Sequence, residues 1–188
     1  MATIRVKPCA ALLFILSVPA LAQPKVDLPP PPALAQPSRA PDVIYVPTPP
    51  AVVSAMLKAA GVTGRDVVYD LGCGDGRIVI EAARSYGARG VGIDIDPERI
   101  EEAQANARRA GMQNQVQFRL ADLFEVDLGE ATVISLYLLP RLNLQLRPRL
   151  LALKSGTRIV SHAFDMGDWK PEQELKVDGR SVYLWRVP

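Results

Sequence analysis

The chain has 188 residues, of which 48% are hydrophobic and 22% charged, and its formal net charge at pH 7 is +2. This length suits one domain with a sound hydrophobic core and excludes an array of several domains. The charges are spread along the chain without a long run of one sign, so no nucleic-acid partner is expected. The two cysteines, Cys9 and Cys73, are too few for a disulfide framework or a cysteine-based metal site.

Residues 1–22 have the three parts of a secretory signal peptide. Arg5 and Lys7 form a basic start, residues 10–18 are apolar, and residues 20–22 (Ala-Leu-Ala) fit a cleavage site. We therefore expect removal of this leader and export to the periplasm or cell envelope. The apolar run is shorter than the about 20 residues of a spanning helix. An uncleaved leader that anchors the domain to the membrane is the alternative.

Residues 23–43 are rich in proline and include the consecutive prolines of residues 29–32. Such a stretch cannot pack as helix or sheet and favours the extended polyproline II conformation. We expect it to be a linker between the leader and a single domain over residues 44–188.

Strands and helices alternate along that domain, which predicts a parallel sheet covered by helices on both faces. We expect strands near 66–71, 89–94, 115–120, 131–137 and 156–162, and helices near 50–60, 76–86, 97–110 and 140–152. The tail differs, because two alternating runs within residues 172–187 flank Asp178-Gly179, a strong signal for an antiparallel hairpin.

The end of the first strand carries the most informative pattern, an acid followed by three alternating glycines: Asp70, Gly72, Gly74 and Gly76. Glycine permits a sharp turn and close approach of a ligand to the main chain. The helix that follows leaves unpaired N–H groups, which favour polar oxygen atoms. The second strand ends in Asp94, where a carboxylate can accept hydrogen bonds from ribose hydroxyls. A nucleoside cofactor is predicted at the carboxyl edge of the sheet.

The spacing of the glycines separates two kinds of cofactor. Dinucleotide-binding loops follow Gly-x-Gly-x-x-Gly, and Arg77 stands where the third glycine would fall. Asp70 would also repel a pyrophosphate, whereas it suits an ammonium group. S-adenosylmethionine carries an ammonium and no phosphate. Arg77 and Asp70 therefore both argue against a nucleotide-dependent oxidoreductase, which is one alternative function.

On these residues the chain resembles the class I S-adenosylmethionine-dependent methyltransferases, whose loop has the form acid-x-Gly-x-Gly-x-Gly. The resemblance implies a Rossmann-like fold with a mostly parallel seven-stranded sheet, helices on both faces and a C-terminal antiparallel hairpin. It implies S-adenosylmethionine as cofactor, bound by Asp70, Asp94 and the glycine turn. It also implies that Asp122, at the end of the third strand, binds the adenine amino group.

The order Tyr45-Val46-Pro47-Thr48, helix, then Asp-Leu-Gly-x-Gly-Asp-Gly-Arg-Ile-Val is similar to small methyltransferases related to the ATP synthase c-subunit lysine methyltransferase. The likeness covers roughly residues 44–188. We place Tyr45 and Thr48 among the cofactor-binding residues, and the resemblance implies a protein partner with an accessible lysine. The chain departs from this subfamily at residues 136–140 (Leu-Tyr-Leu-Leu-Pro), which leaves the acceptor open.

Tyr137, at the end of the fourth strand, is the leading candidate for a catalytic residue. A lysine ammonium has a reference pKa near 10.4, so its channel must favour the neutral amine. Packing under the following helix is the alternative role for Tyr137. His162 is the only histidine in the sequence, and at a strand end it is more typical of a structural residue.

Two further questions stay open from the sequence. A non-catalytic S-adenosyl-ligand-binding or scaffold protein of the cell envelope is not excluded, because S-adenosylmethionine is made in the cytosol. Arg147 and Arg149, with Arg141 nearby, fit a solvated helix face better than a phosphate-binding patch. No metal is expected in the site.

Overall fold

A computed structural model of the chain describes residue 40 and residues 44–188. The predicted leader (1–22) lies outside the described residues, and so does the predicted linker (23–43) apart from residue 40. In chain order the elements are α1 (Pro50–Ala59), β1 (Val67–Leu71), α2 (Arg77–Tyr86), β2 (Arg89–Asp94), α3 (Pro97–Arg109), β3 (Val116–Leu120), β4 (Val133–Leu136), α4 (Pro140–Leu151), β5 (Arg158–His162), β6 (Gln173–Val177) and β7 (Arg180–Arg186).

The strands form one seven-stranded sheet in the order β3-β2-β1-β4-β5-β7-β6. Neighbours from β3 to β5 pair in parallel, whereas β7 is antiparallel to both β5 and β6. The predicted fold class is confirmed, and each predicted element is found within two residues of its expected bounds. The hairpin turn has positive φ at Asp178 (49°) and Gly179 (76°), as the two-residue turn signal requires.

The sheet separates two hydrophobic layers because successive side chains of a strand point to opposite faces. In β1, Val68 packs in the layer under α1, α2 and α3, whereas Val67 and Tyr69 pack in the layer under α4. All residues of this central strand are buried, as expected for a strand covered on both sides. Within residue 40 and residues 44–188, no helix combines the length and apolar character needed to cross a membrane.

The amino ends of the strands are tied together away from the carboxyl edge. Asp66 accepts a hydrogen bond from Thr132 Oγ1 at 2.8 Å and another from the Thr63 amide at 2.8 Å, and it pairs with Arg158. Burial alone would raise the pKa of Asp66, but these hydrogen bonds hold it below its ordinary value. These contacts link the amino ends of β1, β4 and β5, whereas the carboxyl ends of β1 to β4 meet around a cavity at the opposite edge.

Candidate active site

A cavity of about 530 Å³ opens at the carboxyl ends of β1, β2, β3 and β4. Its volume lies within the usual range for a small-molecule or cofactor site. The sequence-predicted residues that line it are Tyr45, Thr48, Asp70, Gly72, Asp94, Asp122 and Tyr137. Residues from the start of the domain therefore share one cavity with residues from four strand ends.

The glycine turn has the left-handed backbone that its sequence predicts, with φ of 81° at Gly72, 51° at Gly74 and 78° at Gly76. The reason for the third glycine lies in packing. A Cβ at Gly76 would come within 2.6 Å of the Phe118 ring and 3.0 Å of Ala103 Cβ. Gly76 therefore permits α2 and α3 to approach β3, and its contact with a cofactor stays a prediction.

Gly74 is the point where the start of the domain crosses the turn. We call residues 44–48, which line the cavity before α1, the strap. A Cβ at Gly74 would lie only 2.1 Å from Cε2 of Tyr45, so the tyrosine ring occupies the space that glycine leaves. The guanidinium of Arg99 lies 5.1 Å from the centre of the same ring, a cation–π contact. Tyr45 is thus held between the turn and α3.

Arg77 fastens the strap to the turn. Its Nη1 donates to the Thr48 carbonyl at 2.9 Å, while Nε and Nη2 donate to Asp75 at 2.9 and 2.7 Å. Burial alone would raise the pKa of Asp75, but the hydrogen bonds and charge of Arg77 hold it below its ordinary value. The sequence pattern identified Arg77 only as a missing glycine, and it contains no local signal for the partner at Thr48.

Asp70 is a buried carboxyl group that faces the cavity. It is 2% exposed, and Ser135 Oγ donates to its Oδ1 at 2.7 Å. Burial raises the pKa of Asp70 to about 7, and the neighbouring Asp94 and Asp75 carboxylates add to this rise. A cationic group in the cavity would stabilise the ionised form of Asp70, so the site fits the ammonium of S-adenosylmethionine.

Asp94 joins the end of β2 to the glycine turn. Its Oδ2 accepts from the Gly74 amide at 2.8 Å and its Oδ1 from the Asp96 amide at 3.0 Å. Burial raises its pKa, although these hydrogen bonds oppose the rise. At the end of β3, Asp122 accepts from the Phe124 amide at 2.9 Å and lines the same cavity. Their contacts with ribose and adenine stay predictions.

Tyr137 follows the last residue of β4 and lines the cavity beside Leu138 and Leu142. His162, at the end of β5, lies at the same edge of the sheet, but it is not among the residues that line the cavity. The two rings contact each other, with centroids 3.8 Å apart. Packing and acceptor contact are therefore not exclusive roles for Tyr137.

The basic residues of α4 are not simply solvated. Arg149 donates to the carbonyls of Leu123, at 2.8 Å, and Val126, and Arg147 donates to the Met166 carbonyl at 2.9 Å. Both side chains are partly buried and hold the loops that follow β5 and β3, which corrects the expected solvated face. Across the described residues, no group of three or more His, Cys, Asp or Glu side chains could hold a metal ion.

A mostly parallel seven-stranded sheet with this cavity at its carboxyl edge defines a Rossmann-like fold, and the comparisons with known proteins identify it as that of an S-adenosylmethionine-dependent methyltransferase. Residues 70–173 match the family model described as the ANTKMT methyltransferase domain. The chain belongs to this family of methyltransferases.

Individual relatives agree with the family. A protein-lysine N-methyltransferase of Saccharolobus islandicus is 46% identical, over 80% of this chain and 97% of that protein. The ATP synthase c-subunit lysine N-methyltransferase of Mus musculus is 32% identical over 57% of this chain, which spans only 44% of the mouse protein. The crystal structure of an RNA methyltransferase from Salinibacter ruber, in complex with S-adenosyl-L-homocysteine, is 56% identical. It covers 76% of this chain and 94% of its own, with a TM-score of 0.75.

Replacing Asp94 by alanine should weaken binding of S-adenosylhomocysteine by roughly 1.5–3 kcal/mol, or about 10- to 150-fold in Kd. The change removes the acceptor for the Gly74 and Asp96 amides together with the expected acceptor for the ribose hydroxyls. Calorimetric titration measures the effect. Asp127→Ala is a matched control, because Asp127 also accepts from an amide two residues ahead but lies outside the cavity. An unchanged Kd for Asp94→Ala contradicts the assignment.

Proposed function

We propose that the chain transfers a methyl group from S-adenosylmethionine to the side-chain amine of a protein lysine. The similarity to the protein-lysine N-methyltransferase of Saccharolobus islandicus, which extends over nearly the whole of that protein, is the observation that carries the proposal. The cavity supports it, because carboxylates for the cofactor and neutral residues for an acceptor line the same space.

Three acidic residues would hold the cofactor. Asp70 would accept the ammonium group, Asp94 the ribose hydroxyls and Asp122 the adenine amino group. When bound, S-adenosylmethionine supplies an electrophilic methyl group on a good leaving group. The task left to the protein is to hold a neutral nucleophile close and in line, which accounts for much of the acceleration in such a displacement.

The acceptor side is formed by Tyr137, Leu138 and Leu142. Apolar surroundings disfavour an ammonium group and so favour the neutral lysine amine. The Tyr137 hydroxyl can accept a hydrogen bond from an N–H of that amine and so direct its lone pair. A lysine side chain that enters beside these residues would therefore reach the cofactor as a neutral amine, the form that can accept the methyl group.

Tyr137→Phe should lower kcat roughly tenfold, the scale of one hydrogen bond of about 1.4 kcal/mol made in the transition state. The Kd for S-adenosylhomocysteine should stay unchanged, because only the acceptor side is altered. Single-turnover methylation with labelled cofactor and envelope extract, followed by peptide mapping of the label, measures the rate and identifies the acceptor. Tyr183→Phe on β7 is the matched control, since that ring packs against Trp185 outside the cavity. A wild-type rate for Tyr137→Phe would assign Tyr137 to packing alone.

RNA methylation is a second candidate, favoured by the similarity to the RNA methyltransferase of Salinibacter ruber. The contacts of α4 weigh against it, because Arg147 and Arg149 already donate to backbone carbonyls of the loops after β5 and β3. Parallel reactions with total RNA and with nuclease-treated extract separate the two acceptors. Label that appears in RNA and not on lysine would overturn the protein-lysine proposal.

We also propose that the chain is exported after cleavage behind Ala22, on the strength of its basic start, apolar run and Ala-Leu-Ala site. Mass spectrometry of the native protein should find a mature N-terminus at Gln23 in the periplasmic or envelope fraction. An intact N-terminus in a membrane fraction would support the anchored alternative. An intact N-terminus in a soluble cytosolic fraction would contradict export.

A further inference from the structure

The turn after β5 has an unusual backbone. Ala163 has a φ of 67°, a left-handed conformation that is strained for a non-glycine residue. The Phe164 amide donates to the His162 carbonyl at 2.9 Å, which closes a three-residue turn around Ala163. The rings on either side of this turn both pair with Tyr137. The centroid of His162 lies 3.8 Å from that of Tyr137, and the centroid of Phe164 lies 6.3 Å away with the planes 19° apart.

Buried polar contacts hold the strained turn in place. Asn143 of α4 donates from Nδ2 to the carbonyls of Phe164 and Asp165, each at 3.2 Å. Ser161 Oγ donates to the Phe164 carbonyl at 2.7 Å. Both side chains are fully buried. Backbone strain of this kind persists only where the surrounding contacts over-determine the conformation. Here the strained turn places the rings of His162 and Phe164 against Tyr137.

His162 also contacts the strap. Its side chain is 1% exposed, and Nδ1 lies 3.2 Å from Thr48 Oγ1, within hydrogen-bond distance. The carbonyl of the same threonine accepts from Arg77. Burial, with the charge of Arg180 added, lowers the pKa of His162 to about 4, so the imidazole is neutral at ordinary pH. A continuous series of contacts therefore connects the glycine turn to the strap, the strap to His162, and His162 to Tyr137.

We propose that His162 is a positioning residue for methyl transfer, whose neutral ring holds Tyr137 at the acceptor side of the cavity and whose bond to Thr48 ties that position to the strap. This role rests on methyl transfer in the cavity and on Tyr137 as its acceptor-side residue. It does not depend on whether the acceptor is a protein lysine. A neutral ring suits the place, because an imidazolium there would repel an incoming ammonium and the sulfonium of the cofactor.

The free protein offers a test without turnover, since His162 is the only histidine in the sequence. Nitrogen-15 NMR of the full chain should show one neutral tautomer down to about pH 5, where an ordinary histidine is already charged. Its ring protons should carry an upfield ring-current shift that Tyr137→Leu removes. An imidazole that titrates near its ordinary pKa of about 6.5 and does not respond to Tyr137→Leu would overturn the proposal.

Kinetics test the same role in the loaded enzyme. His162→Phe keeps a ring but loses the bond to Thr48, and Thr48→Val loses the hydroxyl without changing the size of the side chain. Each should lower kcat about tenfold, the scale of a small misplacement, while the Kd for S-adenosylhomocysteine changes less than about threefold. Thr48→Ser should restore most of the rate lost in Thr48→Val. Thr157→Val, a buried threonine at the opposite edge of the sheet, is the matched control and should behave as wild type.

The decisive comparison is in the background of Tyr137→Phe. A residue that acts through Tyr137 should there have little further effect on kcat, whereas a merely structural residue should lower stability and rate independently of Tyr137. Additive losses, or a wild-type kcat for both His162→Phe and Thr48→Val, would overturn the proposal. Label found on RNA alone would refute the lysine acceptor. The same comparison of kcat values, with RNA as the acceptor, would then test whether His162 is a positioning residue.

Discussion

Gly74→Val should abolish measurable binding of S-adenosylhomocysteine, with a loss of at least about hundredfold in affinity, or about 2.7 kcal/mol. Two effects combine. The backbone of Gly74 has a φ of 51°, which a β-branched residue avoids. The new side chain would also overlap the ring of Tyr45 and force the strap away from the cavity. Calorimetric titration measures the affinity, and thermal unfolding reports the accompanying loss of stability.

Gly111→Val separates these two effects. Gly111 has a φ of 70° just after α3, and a Cβ there would meet nothing within 4 Å. Its substitution should lower the melting temperature through backbone strain alone and leave the affinity for S-adenosylhomocysteine unchanged. If Gly74→Val binds the ligand as tightly as Gly111→Val does, the strap over the turn plays no part in holding the cofactor.

Asp70→Asn should remove most of the affinity for S-adenosylhomocysteine, because the amide keeps the shape of the side chain but cannot balance a buried ammonium group. The wild-type protein should bind more tightly as pH rises from about 5.5 to about 7, by roughly tenfold, since Asp70 must ionise to accept the cation. Binding near pH 6 should therefore release a proton. Titrations in two buffers of different ionisation enthalpy measure that proton, and Asp70→Asn should show neither effect.

The same ionisation affects stability with the opposite sign. The pKa of Asp70 is about 7 in the folded protein against 3.8 ordinarily, so the folded state binds more protons than the unfolded state between those values. The free energy of unfolding without cofactor should thus fall as pH rises through that range, and Asp70→Asn should flatten the profile. Asp127→Asn, at an exposed turn, is the control and should keep the wild-type profile. A pH-independent affinity in the wild-type protein would contradict the assignment of Asp70.

The strap gives the start of the domain a direct part in the site. Tyr45 covers Gly74, Thr48 is bonded to both Arg77 and His162, and all of these contacts lie within one edge of the sheet. Displacement of the strap would expose the cavity and release Tyr137 at once. A change that displaces the whole strap, such as Gly74→Val, is therefore expected to weaken cofactor binding and acceptor positioning together, whereas loss of the Thr48 hydroxyl alone affects the acceptor side.

The sequence by itself determined the order of strands and helices, the hairpin at Asp178-Gly179 and the glycine turn. These features depend on local patterns, because side-chain periodicity and left-handed glycines act over a few residues. It also placed Asp70, Asp94 and Asp122 together, since the carboxyl ends of parallel strands meet at one edge. The acid and glycine spacing, together with Asp94, predicted a nucleoside cofactor, and the resemblance to the class I methyltransferases implied S-adenosylmethionine.

Only the tertiary structure decided what depends on residues far apart in the chain. Gly76 serves packing against Phe118, Arg77 binds Thr48, and His162 meets a threonine 114 positions earlier. No local pattern encodes such pairs, because each forms only when the sheet and the strap are assembled. The raised pKa of Asp70 has the same origin, since burial among other carboxylates is a property of the folded protein and not of the sequence around it.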